Sequence, residues 1–315
     1  ESLFPHVHNN CSFFYLIYDW YFESMPFCDK LTLKYERSFP MIDLHIHSTC
    51  SDGTFTPKQI VQKVITKGLY GFSLTDHDTV DGIPEILAMD LPDDLKFIPG
   101  IEISCDALHR EIHVLGYGIN YKDQQLNQTL NMLRDKRFQR NLDMIELFQK
   151  DGYPITLEKL QNGDPHTVIT RAHFARTLIA EGICSSMDQA FSKYLGEKCK
   201  YYVPKSFFDP KDCLRLILDA GGIPVLAHPF LYKFSNEDTK HLIHNLKEEG
   251  LAGIEVYHSS HHIGQITKLR QWQKEYDLLA TGGSDFHGTN KPDIEIGTGR
   301  GPLFVPDHLI DDLMN

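Results

Sequence analysis

Two histidines one residue apart occur in an apolar segment near the beginning of the regular pattern. Residues 42–47 alternate isoleucine and leucine with Asp43, His45 and His47. In a β-strand, alternate side chains point to the same face, so the two imidazoles would lie side by side and could share one cation. A pair of surface histidines on an edge strand is the alternative, but the apolar neighbours favour a strand of the core.

Polar residues follow the next two apolar segments. The apolar segment Tyr70–Leu74 is followed by Thr75-Asp76-His77-Asp78. Functional residues of parallel α/β folds gather at the carboxyl ends of strands. A neutral imidazole suits transition metals, so we predict His77 as a ligand, with Asp76 and Asp78 as helix caps or as groups that orient a ligand. Asp52, in the polar loop Ser51-Asp52-Gly53, is either a turn residue or a further ligand.

Glu102 interrupts an apolar strand pattern, and burying a lone carboxylate is costly unless a positive charge meets it. A salt bridge would serve, yet other metal-binding residue types also lie at or near predicted strand ends. The combined set of predicted ligands is His45, His47, Asp52, His77, Glu102, His113, His228, Asp285 and His287.

Nine nitrogen and oxygen ligands exceed what one cation needs, so we expect two or three neighbouring divalent ions, bridged by Glu102 or Asp285. The motifs themselves contain no cysteine, although Cys50 and Cys105 lie nearby. Thiolate-bound structural zinc is therefore not expected, and manganese, iron, zinc and magnesium are the candidates.

The elements that must position these residues alternate as short apolar segments and amphipathic helices, which is typical of repeated βα units around a parallel sheet. The predicted strands are Ile42–Ile46, Tyr70–Leu74, Phe97–Ile103, Ile112–Tyr117, Ile223–Leu226, Gly253–Tyr257 and Leu278–Ala280. A helix is predicted to begin at Thr56-Pro57, where threonine can cap and proline suits the first turn.

Helical patterns alone fill the segment between Lys122 and Lys205, with helices predicted over Thr170–Ala180 and Met187–Tyr194. We interpret residues 122–205 as a helical insertion over the mouth of a barrel built from residues 41–121 and 206–315. Residues 1–40 are aromatic-rich and irregular and are interpreted as an N-terminal extension. Their His6 and His8 lack a strand pattern, so no metal site is predicted there.

Composition narrows the class of protein. The formal charge of −12 over 315 residues argues against general binding to nucleic acid, and no surface for duplex DNA is evident. The seven cysteines are scattered without a C-x-x-C pair, which predicts reduced thiols. The apolar segment from Phe13 to Phe22 is too short to span a membrane and lacks the features of a secretory signal. These features predict a soluble cytoplasmic protein with no membrane partner.

The motifs resemble those of the PHP family, named for its polymerase-associated and histidinol phosphatase members. The matching segments, which run from Met41 to about Gly288, are Asp43–Ser48, Ser51–Gly53, Thr75–Asp78, Gly100–Glu102, His113, Ala227–Pro229 and Ser284–His287. The resemblance implies an α/β fold, a distorted (β/α)7 barrel with an inserted helical domain. It also implies a trinuclear metal centre that usually contains manganese.

The segment from Thr170 to Arg176 is similar to the branch of this family that acts on nucleotides, which implies hydrolysis of 3',5'-nucleoside bisphosphates or of short RNA from its 5' end. A metal-bridging hydroxide would attack phosphorus. The predicted catalytic residues are Glu102, Asp285 and His258, and Arg171, His173 and Arg176 are the predicted substrate-binding residues.

Further residues have two interpretations each. The basic group Arg134, Lys136, Arg137 and Arg140 suits a polyanionic substrate, but a solvated helix face is the commoner explanation. Glu255 is predicted to orient a ligand.

The sequence leaves three alternative functions open. They are histidinol phosphate hydrolysis, metal-dependent amide hydrolysis, and a noncatalytic metal-binding or polymerase-partner module.

Overall fold

Seven β-strands form one sheet in which they follow one another in chain order. The structure is a computed structural model that describes residues 41–108, 110–161, 163, 169–204 and 208–314. The predicted N-terminal extension, with His6 and His8, lies outside these residues. The strands are β1 (Ile42–Ile46), β2 (Gly71–Leu74), β3 (Lys96–Ala107), β4 (Arg110–Tyr117), β5 (Ile223–Leu226), β6 (Gly253–His258) and β7 (Leu279–Gly283).

The direction of β4 corrects the prediction of a wholly parallel sheet. β4 runs antiparallel to both β3 and β5, whereas the other neighbouring pairs are parallel. Strands β3 and β4 are joined by a short turn that includes Leu108, whose φ is 52°. A turn of this length can connect only antiparallel strands, because a parallel connection needs a crossover of a dozen residues or more. The pairing also extends β3 to Ala107, beyond its predicted end at Ile103.

Backbone hydrogen bonds between the first and last strands bring the sheet close to a closed barrel. His47 N donates to Phe286 O at 3.0 Å, and Asp285 N donates to His45 O at 2.8 Å. The backbones approach closely at Gly283, where an added Cβ would lie 2.4 Å from His45 Cβ. The predicted (β/α)7 barrel is confirmed, and its closure joins two segments that carry predicted ligands.

Gly283→Ala is expected to destabilise the protein by roughly 1–3 kcal/mol, because an added methyl group forces apart a tightly packed contact. Urea unfolding, followed by circular dichroism, measures the change in the free energy of unfolding. Gly264→Ala is a suitable control, because its added Cβ would meet only the His262 ring, at 3.3 Å and beyond. Equal unfolding midpoints for Gly283→Ala and wild type would contradict the importance of this close approach.

The helices of the barrel connect its strands. They are α1 (Pro57–Thr66), α2 (Ile83–Leu87), α7 (Pro210–Asp219), α8 (Asn236–Glu248) and α9 (Ile263–Glu275). Thr56 caps α1 through a hydrogen bond from Gln59 N, as predicted from the Thr-Pro pair. In the described ranges, no helix has both the length and the apolar character that crossing a bilayer requires.

The segment between β4 and α7 contains helices and no strand among its described residues. These helices are α3 (Gln124–Lys150), α4 (Leu157–Gln161), α5 (Arg171–Ala180) and α6 (Met187–Ala190), the last continued by a π-helical turn at Phe191–Leu195. The first part of α3 packs Leu126 and Leu130 into the barrel core. Its second part packs Phe148 against Phe174 and Tyr201 in a separate core. Helix α3 therefore ties the two cores together.

Candidate metal centre

The nine predicted ligands form one cluster at the mouth of the barrel. His45, His47 and Glu102 have no exposed surface, and the others are buried or partly buried. Their nitrogen and oxygen atoms form four groups in which all the atoms lie within 4.8 Å of one another. The four groups are His47, Asp52, His77 and His287; His45, His47 and Asp285; His45, Glu102 and His228; and His77, Glu102 and His113.

The two histidines of β1 point to the same place, as predicted. His45 Nε2 and His47 Nε2 lie 3.1 Å apart, inside the barrel. Burial and the nearby carboxylates have opposite effects on the pKa values of these two histidines. Burial lowers the pKa of His47, but the nearby Asp285 and Glu102 carboxylates outweigh it and raise the pKa to about 9. The pocket thus attracts positive charge to this pair of nitrogens.

The Glu102 carboxylate lies at the centre of the cluster. Its Oε1 is 2.9 Å from His113 Nδ1 and 2.9 Å from His228 Nε2. Its Oε2 is within 3.4 Å of three more imidazole nitrogens, those of His45, His47 and His77. Burial would raise the pKa of Glu102, but the surrounding histidines hold it well below its usual range. An ionised carboxylate that belongs to two of the four groups is suited to bridge two cations.

The expectation that every ligand lies at or near a strand end is wrong for two residues. Glu102 lies in the middle of the twelve-residue strand β3. His113 lies in the first half of β4, and it reaches the same edge of the barrel because this strand runs in the opposite direction. The antiparallel hairpin therefore supplies ligands that a parallel βα pattern would place elsewhere.

Asp52 and Asp285 approach the cluster from loops. Asp52 Oδ1 is 3.2 Å from His287 Nε2 and 3.9 Å from His77 Nε2, so Asp52 is more than a turn residue. Asp285 Oδ1 is 3.5 Å from His47 Nε2. The φ angles of Asp285 and His228 are 57° and 25°. Such angles cost on the order of 1–3 kcal/mol for these residue types and concentrate at functional sites.

Glu255, on β6, orients the imidazole of His45. Its Oε1 is 2.9 Å from His45 Nδ1, and its Oε2 accepts a hydrogen bond from His228 N at 2.7 Å. Burial would raise the pKa of Glu255, but His45 outweighs burial and lowers it to about 2. An ionised Glu255 keeps the proton of His45 on Nδ1 and leaves Nε2 available to a cation. This contact agrees with the role predicted for Glu255.

Glu255→Gln is expected to weaken metal binding by about 10–100-fold, the usual effect of removing a group that orients a ligand. Calorimetric titration of chelator-stripped protein with Mn²⁺ measures the affinity. Glu275→Gln, which removes a carboxylate paired with Lys240 on the protein surface, provides the control. Unchanged affinity in Glu255→Gln would show that His45 needs no such partner.

Two more buried aspartates, Asp76 and Asp43, hold the loops of the cluster. Asp76 accepts hydrogen bonds from Ser48 N at 2.7 Å and from Ser51 Oγ at 2.5 Å, which fixes the loop before Asp52. Asp43 accepts from Ser284 N at 2.8 Å and from Gly297 N at 2.7 Å. The support predicted for Asp76 is confirmed. No role had been predicted for Asp43, although a buried acid beside the two histidines is a usable signal.

The predicted substrate-binding residues lie on α5, at the rim of the cluster. Arg171 Nη2 is 2.9 Å from Glu111 Oε2, and Arg176 Nη1 donates to Asn290 Oδ1 at 2.8 Å. His173 is buried, and its Nδ1 accepts a hydrogen bond from Thr170 N at 3.0 Å. Burial, with Arg176 nearby, lowers the pKa of His173 to about 4. A helix cap explains His173, so the arginines are the better candidates for phosphate contacts.

Three residues that the sequence did not single out also contact the ligands. Glu111 Oε1 is 3.1 Å from His113 Nε2, and the Tyr232 hydroxyl accepts a hydrogen bond from His113 N at 2.9 Å. Lys291 Nζ is 2.5 Å from Asp285 Oδ2, the oxygen that also lies 3.4 Å from His258 Nε2. Glu111 lies two residues before His113 in a strand and could have been found from this alternation. Lys291 and Tyr232 have no such signal.

The chemistry of the cluster fits divalent metal ions. Several of its buried atoms have no hydrogen-bond partner among the described residues, namely His47 Nδ1, Asp52 Oδ1, His77 Nδ1, Glu102 Oε2 and His228 Nδ1. Leaving buried polar atoms unpaired is costly, and bound cations would satisfy many of these lone pairs. Imidazole and carboxylate donors without thiolate suit manganese, iron, zinc or magnesium.

A barrel whose mouth brings together six histidines and three carboxylates that could hold divalent ions is typical of metal-dependent hydrolases. Residues 43–202 match the family model described as PHP domain. The chain is 33% identical over 248 residues to a 5'-3' exoribonuclease of Haemophilus influenzae, which covers 78% of this chain and 89% of the relative. It is 30% identical to a 3',5'-nucleoside bisphosphate phosphatase of Chromobacterium violaceum, over 81% of this chain and 90% of the relative.

A solved structure of a protein from Bifidobacterium adolescentis has the same fold. It superposes with a TM-score of 0.78 at 28% identity and covers 87% of this chain and 96% of the other. The chain belongs to the PHP family of metal-dependent phosphoesterases.

Proposed function

We propose that this protein hydrolyses phosphate esters of nucleotides, either 3',5'-nucleoside bisphosphates or short RNA from its 5' end, with Mn²⁺ as the activating ion. The observation that carries the proposal is the buried histidine and carboxylate cluster with arginines at its rim. The printed activities of the relatives, an exoribonuclease and a bisphosphate phosphatase, support this substrate class.

Bound divalent ions would supply a hydroxide nucleophile near neutral pH and neutralise charge on the phosphoryl group. His45, His47, Asp52, His77, Glu102, His113, His228, Asp285 and His287 would hold them. Glu102 or Asp285 would be shared by neighbouring ions, and Glu102, which belongs to two of the four groups, is the better candidate. His258 is proposed to contact the substrate or the leaving group, since its Nε2 already reaches Asp285 Oδ2 at 3.4 Å.

A basic cavity beside the cluster supports binding of a polyanion. It is lined by Asp78 and Ser104 of the barrel and by Lys136, Arg137 and Arg140 of α3. The solvated-face explanation is wrong for Arg140, which is 6% exposed and has no hydrogen-bond partner at Nη2. Arg134, by contrast, is partly exposed and pairs with Asp81. A buried guanidinium beside a cavity suits a phosphate group.

We also propose that residues 122–205 act as an insertion that brings arginines to the site. The Thr170 hydroxyl, which caps α5, donates to Asp52 Oδ2 at 3.1 Å. The guanidinium carbons of Arg171 and Arg140 lie 5.8 Å and 5.6 Å from the ring centre of Tyr202, which groups the two cations on one side of the cluster. A substrate with two phosphates could then place one on the metal ions and one on these arginines.

The test presents manganese-loaded protein with a 3',5'-bisphosphate nucleotide, 5'-phosphorylated oligoribonucleotides and histidinol phosphate in parallel. Phosphate release, or stepwise shortening of RNA, is expected with the nucleotide substrates. Release from histidinol phosphate alone would overturn the proposal.

A matched pair of variants tests the role of the insertion. Arg171 and Arg134 each pair with a carboxylate, at 2.9 and 2.7 Å, and their side chains are 24% and 34% exposed. Arg171→Gln is expected to raise KM for the nucleotide by roughly 10–100-fold, the range for a hydrogen bond to a charged group, with metal content unchanged. Arg134→Gln should behave like wild type.

A further inference from the structure

Lys291 belongs to a loop that is fixed against the ligand cluster. It directly follows the short 3-10 turn Gly288–Asn290, and its backbone N donates to Gly288 O at 3.1 Å. Thr289 N donates to Thr54 Oγ1 at 2.9 Å, and Asn290 Nδ2 donates to Asp52 O at 2.5 Å. The backbone that carries Lys291 is thus anchored to the loop that carries a predicted metal ligand.

The ammonium group of Lys291 lies at the mouth of the site. Its Nζ is 2.5 Å from Asp285 Oδ2, and the Lys291 side chain is 35% exposed. The other oxygen of this carboxylate, Oδ1, faces His45 and His47 at 3.7 and 3.5 Å. Asp285 therefore has one oxygen toward His45 and His47 and the other toward Lys291, with His258 Nε2 3.4 Å from that second oxygen.

Lys291 differs from the arginines in what it contacts. Among the ion pairs of the described residues, Lys291 is the only lysine or arginine whose partner is one of the nine clustered residues. Arg171 contacts Glu111 and Arg176 contacts Asn290, which both lie outside that set. The lysine is consequently nearer to the place where a phosphoryl group would react, and the arginines are nearer to the rest of the substrate.

We propose that Lys291 binds the phosphoryl group that this site hydrolyses, an inference that rests on the proposed function. An ammonium group has three donors. The contact with Asp285 uses one, which leaves two for the oxygens of a partly exposed anion. The flexible stem of lysine lets the ammonium follow a phosphoryl group during binding, and its point charge suits that group.

The test measures binding of inorganic phosphate to manganese-loaded protein by calorimetry. Lys291→Met is expected to weaken phosphate binding by roughly 10–100-fold, the range for a hydrogen bond to a charged group. Lys291→Arg should restore most of the affinity, because it keeps the charge. Lys67→Met is the matched control, since Lys67 is 36% exposed and lies 3.2 Å from Glu295, outside the cluster.

The manganese content of each variant is determined at the same time. Equal phosphate affinity in Lys291→Met and wild type would overturn the inference. Weaker phosphate binding that is matched by loss of manganese would also overturn it, because Lys291 would then only support Asp285. Phosphate binding that depends on Lys291, in a protein that hydrolyses none of the nucleotides, would refute the proposed function and still show that Lys291 binds a phosphate group at this site.

Discussion

Glu102→Gln is expected to lower kcat for phosphate ester hydrolysis by on the order of 10³-fold, because metal ions contribute several kcal/mol to such reactions and each 1.4 kcal/mol is a factor of ten. The substitution keeps the shape of the side chain and removes its charge. It changes the one carboxylate that lies within 3.4 Å of five histidines in the described structure. Two of the four groups of ligand atoms lose an anionic donor.

Two measurements check this prediction. Steady-state kinetics with the best substrate give kcat, and metal analysis of the purified variant gives the number of bound ions. We expect fewer bound ions per chain in Glu102→Gln, with the other groups still able to bind. Glu275→Gln, on the surface of α9, should keep wild-type kinetics and metal content. Full metal content with wild-type kcat in Glu102→Gln would rule out a bridging role for this carboxylate.

Removal of divalent ions is expected to abolish hydrolysis and to lower the melting temperature. The buried carboxylates Asp52, Glu102 and Asp285 would then have only the surrounding histidines and Lys291 to compensate their charges. A ligand present at about 1,000 times its Kd stabilises a folded protein by about 4 kcal/mol, and each kcal/mol is worth about 2–4 °C in a protein of this size. We therefore expect a decrease of roughly 10 °C.

Exhaustive chelation, followed by separate addition of Mn²⁺, Fe²⁺, Zn²⁺ and Mg²⁺, measures both effects. Activity should return with at least one ion, and we expect the largest recovery with Mn²⁺. Scanning calorimetry of the same samples follows the melting temperature. Hydrolysis that persists at full depletion would contradict a metal-dependent reaction at this cluster.

Much of the site was predictable because its residue types are unusual where they occur. Histidine and glutamate are costly to bury, so His45, His47 and Glu102 within apolar strand patterns indicate a partner that compensates for them. The period of two along β1 correctly predicted that His45 and His47 point the same way, with nitrogens 3.1 Å apart. The cap at Thr56 and the strand positions followed from equally local rules.

Other features depend on contacts between distant segments, which local patterns do not contain. The short apolar pattern of β4 is the same for either strand direction, so the position of His113 became clear only from the pairing with β3. Helical periodicity shows which residues of α3 share a face, but not that Arg140 is buried. The contact between Lys291 and Asp285 depends on the conformation of the loop that carries both residues.

The amino-acid sequence by itself determined the ligand types and the segments that carry them, because burial cost and strand periodicity act over a few neighbouring residues. The seven-stranded barrel followed from the resemblance of these motifs to the PHP family. Only the tertiary structure decided the antiparallel hairpin, the central position of Glu102 and the contacts of Lys291 and Arg171. Each of these arises where separate segments of the chain pack together. Such packing produces no periodic pattern of residues in the sequence.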